Sequence, residues 1–177
     1  MIKLIVLDRD GVINEDSPAY IKSPEEWRAI PGSMKAIAKL KQYGYNVVVA
    51  TNQSGIARGL FTLETLGIIH QKMLAEVSEA GGQLDGIFVC PHAPEDMCDC
   101  RKPKPGLLLQ AVNKFNIKSD EILMIGDAAR DILAAKNCGA KAIFIKTAHK
   151  LNDLLVAEKE GIPIYNNLAE AVDAICA

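Results

Sequence analysis

Short, uniformly apolar runs alternate along the chain with longer stretches in which apolar residues recur every three or four positions. Leu4-Ile5-Val6-Leu7 is the first such run, and its branched side chains suit a strand buried on both faces. Val12 to Trp27 is polar and broken by Pro18 and Pro24, which predicts a loop folded over the end of that strand. Pro31-Gly32-Ser33 opens a helix carrying Met34, Ile37, Ala38 and Leu40, with Gly44 as its C-terminal cap. Tyr45 to Ala50 predicts a second buried strand, and Thr51 to Gly55 the turn after it. A strand, a helix and a strand within about forty residues imply a right-handed parallel crossover.

A helix running from Thr62 to Gly81-Gly82 lines up Leu66, Ile69, Met73 and Val77; His70 lies beside that stripe and reads as a packed helix residue, not a ligand. Gly86 to Val89 is a third strand. Pro105-Gly106 leads into a helix with Leu107, Leu108, Ala111, Val112 and Phe115, the proline suiting a first turn where no N–H is needed. Residues 121–125 form the fourth strand, 129–137 a short helix, 141–145 the fifth strand and 151–160 another helix. Ile162 to Tyr165 is expected at a sheet edge, because Pro163 is excluded from a sheet centre. Asn167 and Glu170 form a capping pair for the last helix. Neither a repeat nor a linker interrupts the pattern, so residues 1–177 are expected to form one α/β domain with a doubly wound, mainly parallel sheet. Ligands of such sheets sit at the carboxyl ends of the strands, where Asp8, Thr51, Cys90 and Asp127 all fall.

Composition narrows the function classes. With 177 residues, 49% hydrophobic content and a formal charge of -2, the chain has enough apolar material for a real core. It offers no basic stripe for nucleic acid and no polybasic patch for a membrane. The few apolar residues before Asp8 make neither a secretory signal nor a membrane span, so a cytoplasmic chain acting as a monomer is expected.

Cys90-Pro91-His92 and Cys98-Asp99-Cys100 bring three thiols and one imidazole into a single loop, residues 90–100. Cys₃His is a closed tetrahedral set typical of structural zinc, which would leave no position open for water. Its expected work is to fix the segment just before Arg101 and Lys102. Cys138 and Cys176, in apolar helical surroundings, read as small core residues.

The stretch Asp8-Arg9-Asp10-Gly11 carries the candidate chemistry. Were the first strand to continue, its period of two would put Asp8 and Asp10 on one face, and two like charges there need a cation such as Mg²⁺. Asp127 adds a third carboxylate, while Thr51 and the Arg101-Lys102 pair add donors and positive charge. A bound phosphate together with Mg²⁺ reconciles these demands, and one carboxylate can then attack phosphorus.

LDRDG, TNQSG, the lysine of CRKPKPG and IGDAARD, in that order, resemble the four motifs of the haloacid dehalogenase superfamily of phosphotransferases. The resemblance implies Asp8 as nucleophile and metal ligand, and Asp10 as general acid/base with its backbone carbonyl on the metal. It implies Thr51 as phosphate donor, Lys102 as the cation of the third motif, Asp127 as metal ligand and Asp131 as a supporting acid.

DRDGVIN, TNQSGIARG and the cysteine loop running into Arg-Lys-Pro are similar to the branch of that superfamily containing heptose-bisphosphate phosphatases and the related histidinol-phosphate phosphatase domain. That likeness implies Mg²⁺-dependent hydrolysis of the 7-phosphate of a heptose 1,7-bisphosphate, giving a heptose 1-phosphate for ADP- or GDP-heptose. Arg101, Asn52, Gln53 and Ser54 would then contact the sugar phosphate. No stretch between the motifs is long enough for a cap domain, so specificity is expected in three loops: the zinc loop, Asn52 to Arg58, and Asn14 to Tyr20 with Asp16 and Tyr20. Many relatives carry lysine after the aspartate of the fourth motif; here it is Ala128, so that contact is missing or passes to Arg130. The alternatives are hydrolysis of histidinol phosphate, a phospho-accepting domain without turnover, and a non-catalytic module that presents a zinc-bound loop.

Overall fold

The computed structural model describes residues 1–177. Its elements, in chain order, are β1 (Leu4–Leu7), α1 (Ser33–Gln42), β2 (Asn46–Asn52), α2 (Leu63–Glu79), β3 (Gly86–Cys90), α3 (Gly106–Phe115), β4 (Ile122–Gly126), α4 (Ala129–Cys138), β5 (Lys141–Ile145), α5 (Leu151–Lys159), β6 (Ile164–Tyr165) and α6 (Leu168–Ile175). The strands form one six-stranded sheet in the order β3-β2-β1-β4-β5-β6, and every pairing is parallel. The expectation of a mainly parallel sheet therefore holds without an antiparallel exception.

β1 lies in the middle because its four residues are apolar on both faces, and both faces are used. Ile5 and Leu7 pack with Trp27, Ile37, Met73 and Leu168 beneath α1, α2 and α6. Leu4 and Val6 pack with Leu107, Leu108, Ala134 and Ala135 beneath α3 and α4. These positions are all buried, so the sheet is covered on both sides, as a parallel sheet requires. The chain winds outward from β1 to β2 and β3 on one side and to β4, β5 and β6 on the other. This reversal opens a crevice at the carboxyl end of β1.

Several element ends differ from the pattern-based expectation. Thr51 and Asn52 are not in a turn; they continue β2, paired with Val89 and Cys90 of β3. Turn-forming residue types are overridden there by the neighbouring strand. Pro105 is the N-cap of α3, one position earlier than expected. The edge strand shrinks to Ile164–Tyr165, with Pro163 contributing only its carbonyl to Phe144 N–H. Asn167 caps α6 by accepting from Glu170 N–H, but Glu170 reaches back to Asn166, not to Asn167. Cys138 and Cys176 are buried as expected.

Candidate active site

Asp8 directly follows β1, and its N–H still bonds to Ile125 O at 2.9 Å, so the carboxylate leaves the sheet in register with β4. Carboxylate oxygens of Asp8, Asp127 and Asp131 lie within 4.8 Å of one another, and all three residues are buried. Lys102 is buried against them, its Nζ 3.0 Å from Asp8 Oδ1 and 2.6 Å from Asp131 Oδ1, while donating to Ala50 O at 2.8 Å. Burial drives the Asp8 carboxyl upward, but the charges of Lys102 and Arg130 outweigh it and hold the group below its ordinary value. Burial likewise works against the Lys102 ammonium, and Asp131 and Asp8 overcome it. The ion pair at the mouth of β1 is therefore kept charged by its own geometry.

Asp127 behaves differently. Burial, then the charge of Asp8, pushes it up to about 7, although Lys150 offsets part of the rise with Nζ 2.5 Å from Asp127 Oδ2. Its other oxygen, Oδ1, is buried with no hydrogen-bond partner. Space for this carboxylate exists because residue 11 is glycine: its φ is 83°, and a Cβ there would collide with the Asp127 side chain. A dry group of carboxylates with one bare oxygen fits a hard divalent cation such as Mg²⁺. Asp8 and Asp127 would hold it, with Asp131 at hand.

The expectation that one cation sits between the Asp8 and Asp10 side chains is not met. β1 stops at Leu7 and the chain turns at Gly11, so the period of two does not persist and the Asp10 carboxylate lies outside the Asp8 cluster. Its counter-charge is the neighbouring Arg9, which is fully buried and donates to Asp10 Oδ1 from Nε (3.1 Å) and Nη2 (2.8 Å). Asn14 Nδ2 donates to the same oxygen at 2.9 Å. Gln53 Nε2 donates to Asp10 Oδ2 at 2.9 Å and to Thr51 Oγ1 at 2.8 Å. With its oxygen already accepting, the Thr51 hydroxyl keeps its hydrogen available for a phosphate oxygen.

Beside this cluster opens a polar cavity of about 250 Å³. Asp16, Tyr20, Asn52, Gln53, Ser54 and Arg101, the six expected substrate contacts, all line it, together with Asp10, Ser17, Ile21 and Arg130. Two of the six have other work. Asn52 accepts from Lys102 N–H and donates to Lys102 O, both at 3.1 Å, and so clamps the lysine backbone. Gln53 is occupied by Asp10 and Thr51 as described above. Arg130 is half-buried, its Nε lacking a partner, and so stands at the cavity wall with donor capacity unspent. Lys150 also reaches Asp16 at 3.1 Å, tying the Asp16 loop to Asp127. Sequence reasoning overlooked Arg9 and Lys150; an arginine set between two aspartates was the available signal for the first, and none marked the second.

The four zinc-type donors converge as expected. Cys90 Sγ lies 3.7 Å from His92 Nδ1, 3.7 Å from Cys98 Sγ and 3.1 Å from Cys100 Sγ; Cys100 Sγ lies 3.3 Å from His92 Nδ1 and 3.6 Å from Cys98 Sγ. A tetrahedral site with Zn–S bonds of about 2.3 Å has edges of about 3.7 Å, close to most of these separations. Burial also pushes the Cys90 thiol up to about 12, so a thiolate at this sulfur needs a cation beside it. The set fits zinc through Nδ1 of the histidine and three sulfurs. Arg101 Nη1 donates to His92 O at 3.3 Å, which couples the loop to the cavity wall.

Fold and site together define a class. The chain belongs to the haloacid dehalogenase-like hydrolase family, whose model matches residues 15–139. It is 44% identical over 174 residues to the D-glycero-beta-D-manno-heptose-1,7-bisphosphate 7-phosphatase of Bordetella bronchiseptica, covering 98% of this chain and 96% of that protein. The protein of that name in Pseudomonas putida is 47% identical over 168 residues, with 95% and 96% covered. The crystal structure of the D,D-heptose 1,7-bisphosphate phosphatase from B. bronchiseptica, complexed with magnesium and phosphate, superimposes with a TM-score of 0.93 at 43% identity, covering 98% of each chain.

Proposed function

We propose that this protein removes the 7-phosphate of a D-glycero-D-manno-heptose 1,7-bisphosphate through an aspartyl-phosphate on Asp8. The observation that carries the reading is the Asp8–Lys102 ion pair, buried at the switch point of the sheet, next to a polar cavity lined by Asp10, Arg101 and Arg130. The relatives named above bear this activity in their names.

In the first half-reaction the Asp8 carboxylate attacks phosphorus, the bond from phosphorus to the sugar 7-oxygen breaks, and Asp10 delivers a proton to that oxygen. In the second, Asp10 takes a proton from water, whose oxygen attacks phosphorus and releases phosphate, restoring Asp8. Lys102 offsets charge on the phosphoryl oxygens and Thr51 donates its hydroxyl hydrogen to one of them. Magnesium, when bound at Asp8 and Asp127, neutralises charge on carboxylate and phosphoryl oxygens. Arg101 and Arg130 receive the 1-phosphate, for which a guanidinium fork is well shaped. The heptose 1-phosphate that remains suits nucleotide activation to ADP- or GDP-heptose.

The whole chain forms one catalytic domain in this reading, supported by a sheet that spans β1 to β6 and by α6 packing against α1. It acts as a monomer in the cytoplasm; five free thiols agree with a reducing compartment, and no helix is long and apolar enough to cross a membrane.

Asp8→Asn tests the mechanism. The amide fits the site but cannot attack, so turnover should fall by roughly 10⁴-fold or more, while inorganic phosphate still binds. Activity that survives this change removes Asp8 as nucleophile.

A further inference from the structure

His70, which the family resemblance leaves without a role, sits directly behind Arg9. Its Nε2 is 3.2 Å from Arg9 Nη1, across 61 residues of chain, and both side chains are buried. Arginine can only donate, so Nε2 must be the unprotonated nitrogen of a neutral ring. Burial, and after it the charge of Arg9, lower the His70 pKa to about 4, which keeps that lone pair available across neutral pH.

The geometry downstream gives this bond a use. Asp10 Oδ1 accepts from Arg9 Nε, Arg9 Nη2 and Asn14 Nδ2, whereas Oδ2 accepts only from Gln53. A carboxylate oxygen has about two lone-pair sites, so Oδ1 is saturated and the proton exchanged in catalysis belongs on Oδ2. The Nε–Nη2 edge of the guanidinium anchors Oδ1 while Gln53 holds Oδ2, and Nη1 on the far side of the guanidinium is fixed by His70. We infer that His70 is a positioning residue: through Arg9 it holds Asp10 so that Oδ2 meets the sugar oxygen. The inference rests on the reading of Asp10 as general acid.

Three substitutions separate this role from simple packing on α2. His70→Leu removes the acceptor, His70→Asn withdraws it beyond reach, and His70→Gln restores it. Each variant, its folding verified by thermal melting, is assayed for single-turnover release of the leaving group from two substrates. Heptose 1,7-bisphosphate releases an alcohol that needs a proton; p-nitrophenyl phosphate releases nitrophenolate, which does not. In His70→Leu and His70→Asn, alcohol release should fall on the order of tenfold and nitrophenolate release by less than about twofold, with His70→Gln near the parent protein. Asp10→Asn should show the same asymmetry, enlarged. If Asp10→Asn discriminates between the substrates but both His70 variants slow them equally, or neither, the positioning role is overturned and the role of Asp10 stands. If Asp10→Asn shows no asymmetry, the acid itself is misassigned and the inference goes with it. Should His70→Leu fail to fold, the Asn and Gln pair decides alone.

Discussion

A proton on Asp127 competes with the metal that the site is built to hold. Burial and the nearby Asp8 charge raise this carboxyl to about 7, so the metal-free protein keeps Asp127 largely protonated below neutrality. A divalent cation must displace that proton, and its affinity therefore depends on pH. From pH 5 towards 7 the apparent Kd for Mg²⁺ should fall by about tenfold per unit and then level off, with calorimetry in buffers of different ionisation enthalpy reporting the released proton. A flat affinity across that window would mean that the carboxylate is already ionised. Folding stability responds to the same shift. The folded-state value lies above the ordinary 3.8, so this contribution is full below that value and is lost as pH rises through about 7. At this scale the sequence reveals residue types but not pairings. Asp8, Lys102 and Asp127 stand out because each is a charged residue at a strand or loop end. Arg9 and His70 meet across 61 residues, a distance no local pattern spans. Asn52 and Gln53 read as substrate contacts, yet their amides are engaged with Lys102, Thr51 and Asp10, because a side-chain amide bonds to whatever the fold sets beside it.

Among the elements, the loop between β3 and α3 depends most on something other than packing. Pro94, Glu95, Asp96 and Met97 are exposed, and only Ala93 of its first half is buried. Such a segment buries too little apolar surface to order itself, whereas structural zinc in small peptides binds with about 10–16 kcal/mol of apparent free energy at neutral pH. Cys98→Ser should therefore cost the zinc and loosen the chain that carries Arg101 and Lys102. With reacting groups displaced on an ångström scale, kcat/KM should drop by roughly 10- to 100-fold, while the carboxylate cluster on β1 and β4 still binds Mg²⁺. Unchanged kinetics in protein shown by metal analysis to be zinc-free would rule out the coupling. Element types were legible throughout, since strands apolar on both faces and helices with a single apolar stripe differ in period. The ends were less so: Thr51 and Asn52 look like turn residues and are held in β2 by β3, a partner that arrives some forty residues later.

For the molecule as a whole, substrate choice rests on an open crevice. The segment after β1, the end of β2 and the residues after it, Arg101 and Arg130 line a cavity of about 250 Å³ that holds both acids, Asp10 and Asp16, and two arginines. A bisphosphorylated sugar satisfies both guanidinium groups; histidinol phosphate, whose far end is a cationic amine, would set like charge against them. Phosphate release from both anomers of heptose 1,7-bisphosphate should exceed that from histidinol phosphate by at least roughly 10²-fold in kcat/KM, since guanidinium donors left unpaired penalise the wrong ligand. The reverse order would move the protein to the other activity without touching the Asp8 chemistry.

The alternation of apolar runs and stripes by itself determined that the chain forms strands and helices in turn, that the sheet is mainly parallel, and that two acids, a threonine and a cysteine gather along one edge of it. These are consequences of local period and of the handedness of crossovers, both of which are written in short stretches. Only the tertiary structure decided which charges answer each other. It gave Asp10 to Arg9 in place of a shared cation, set His70 behind that arginine, and brought Lys150 from the start of α5 onto Asp127. Counter-ion choice in a buried site depends on distances of a few ångströms between segments far apart in the chain, where the attraction is strong and water no longer screens it.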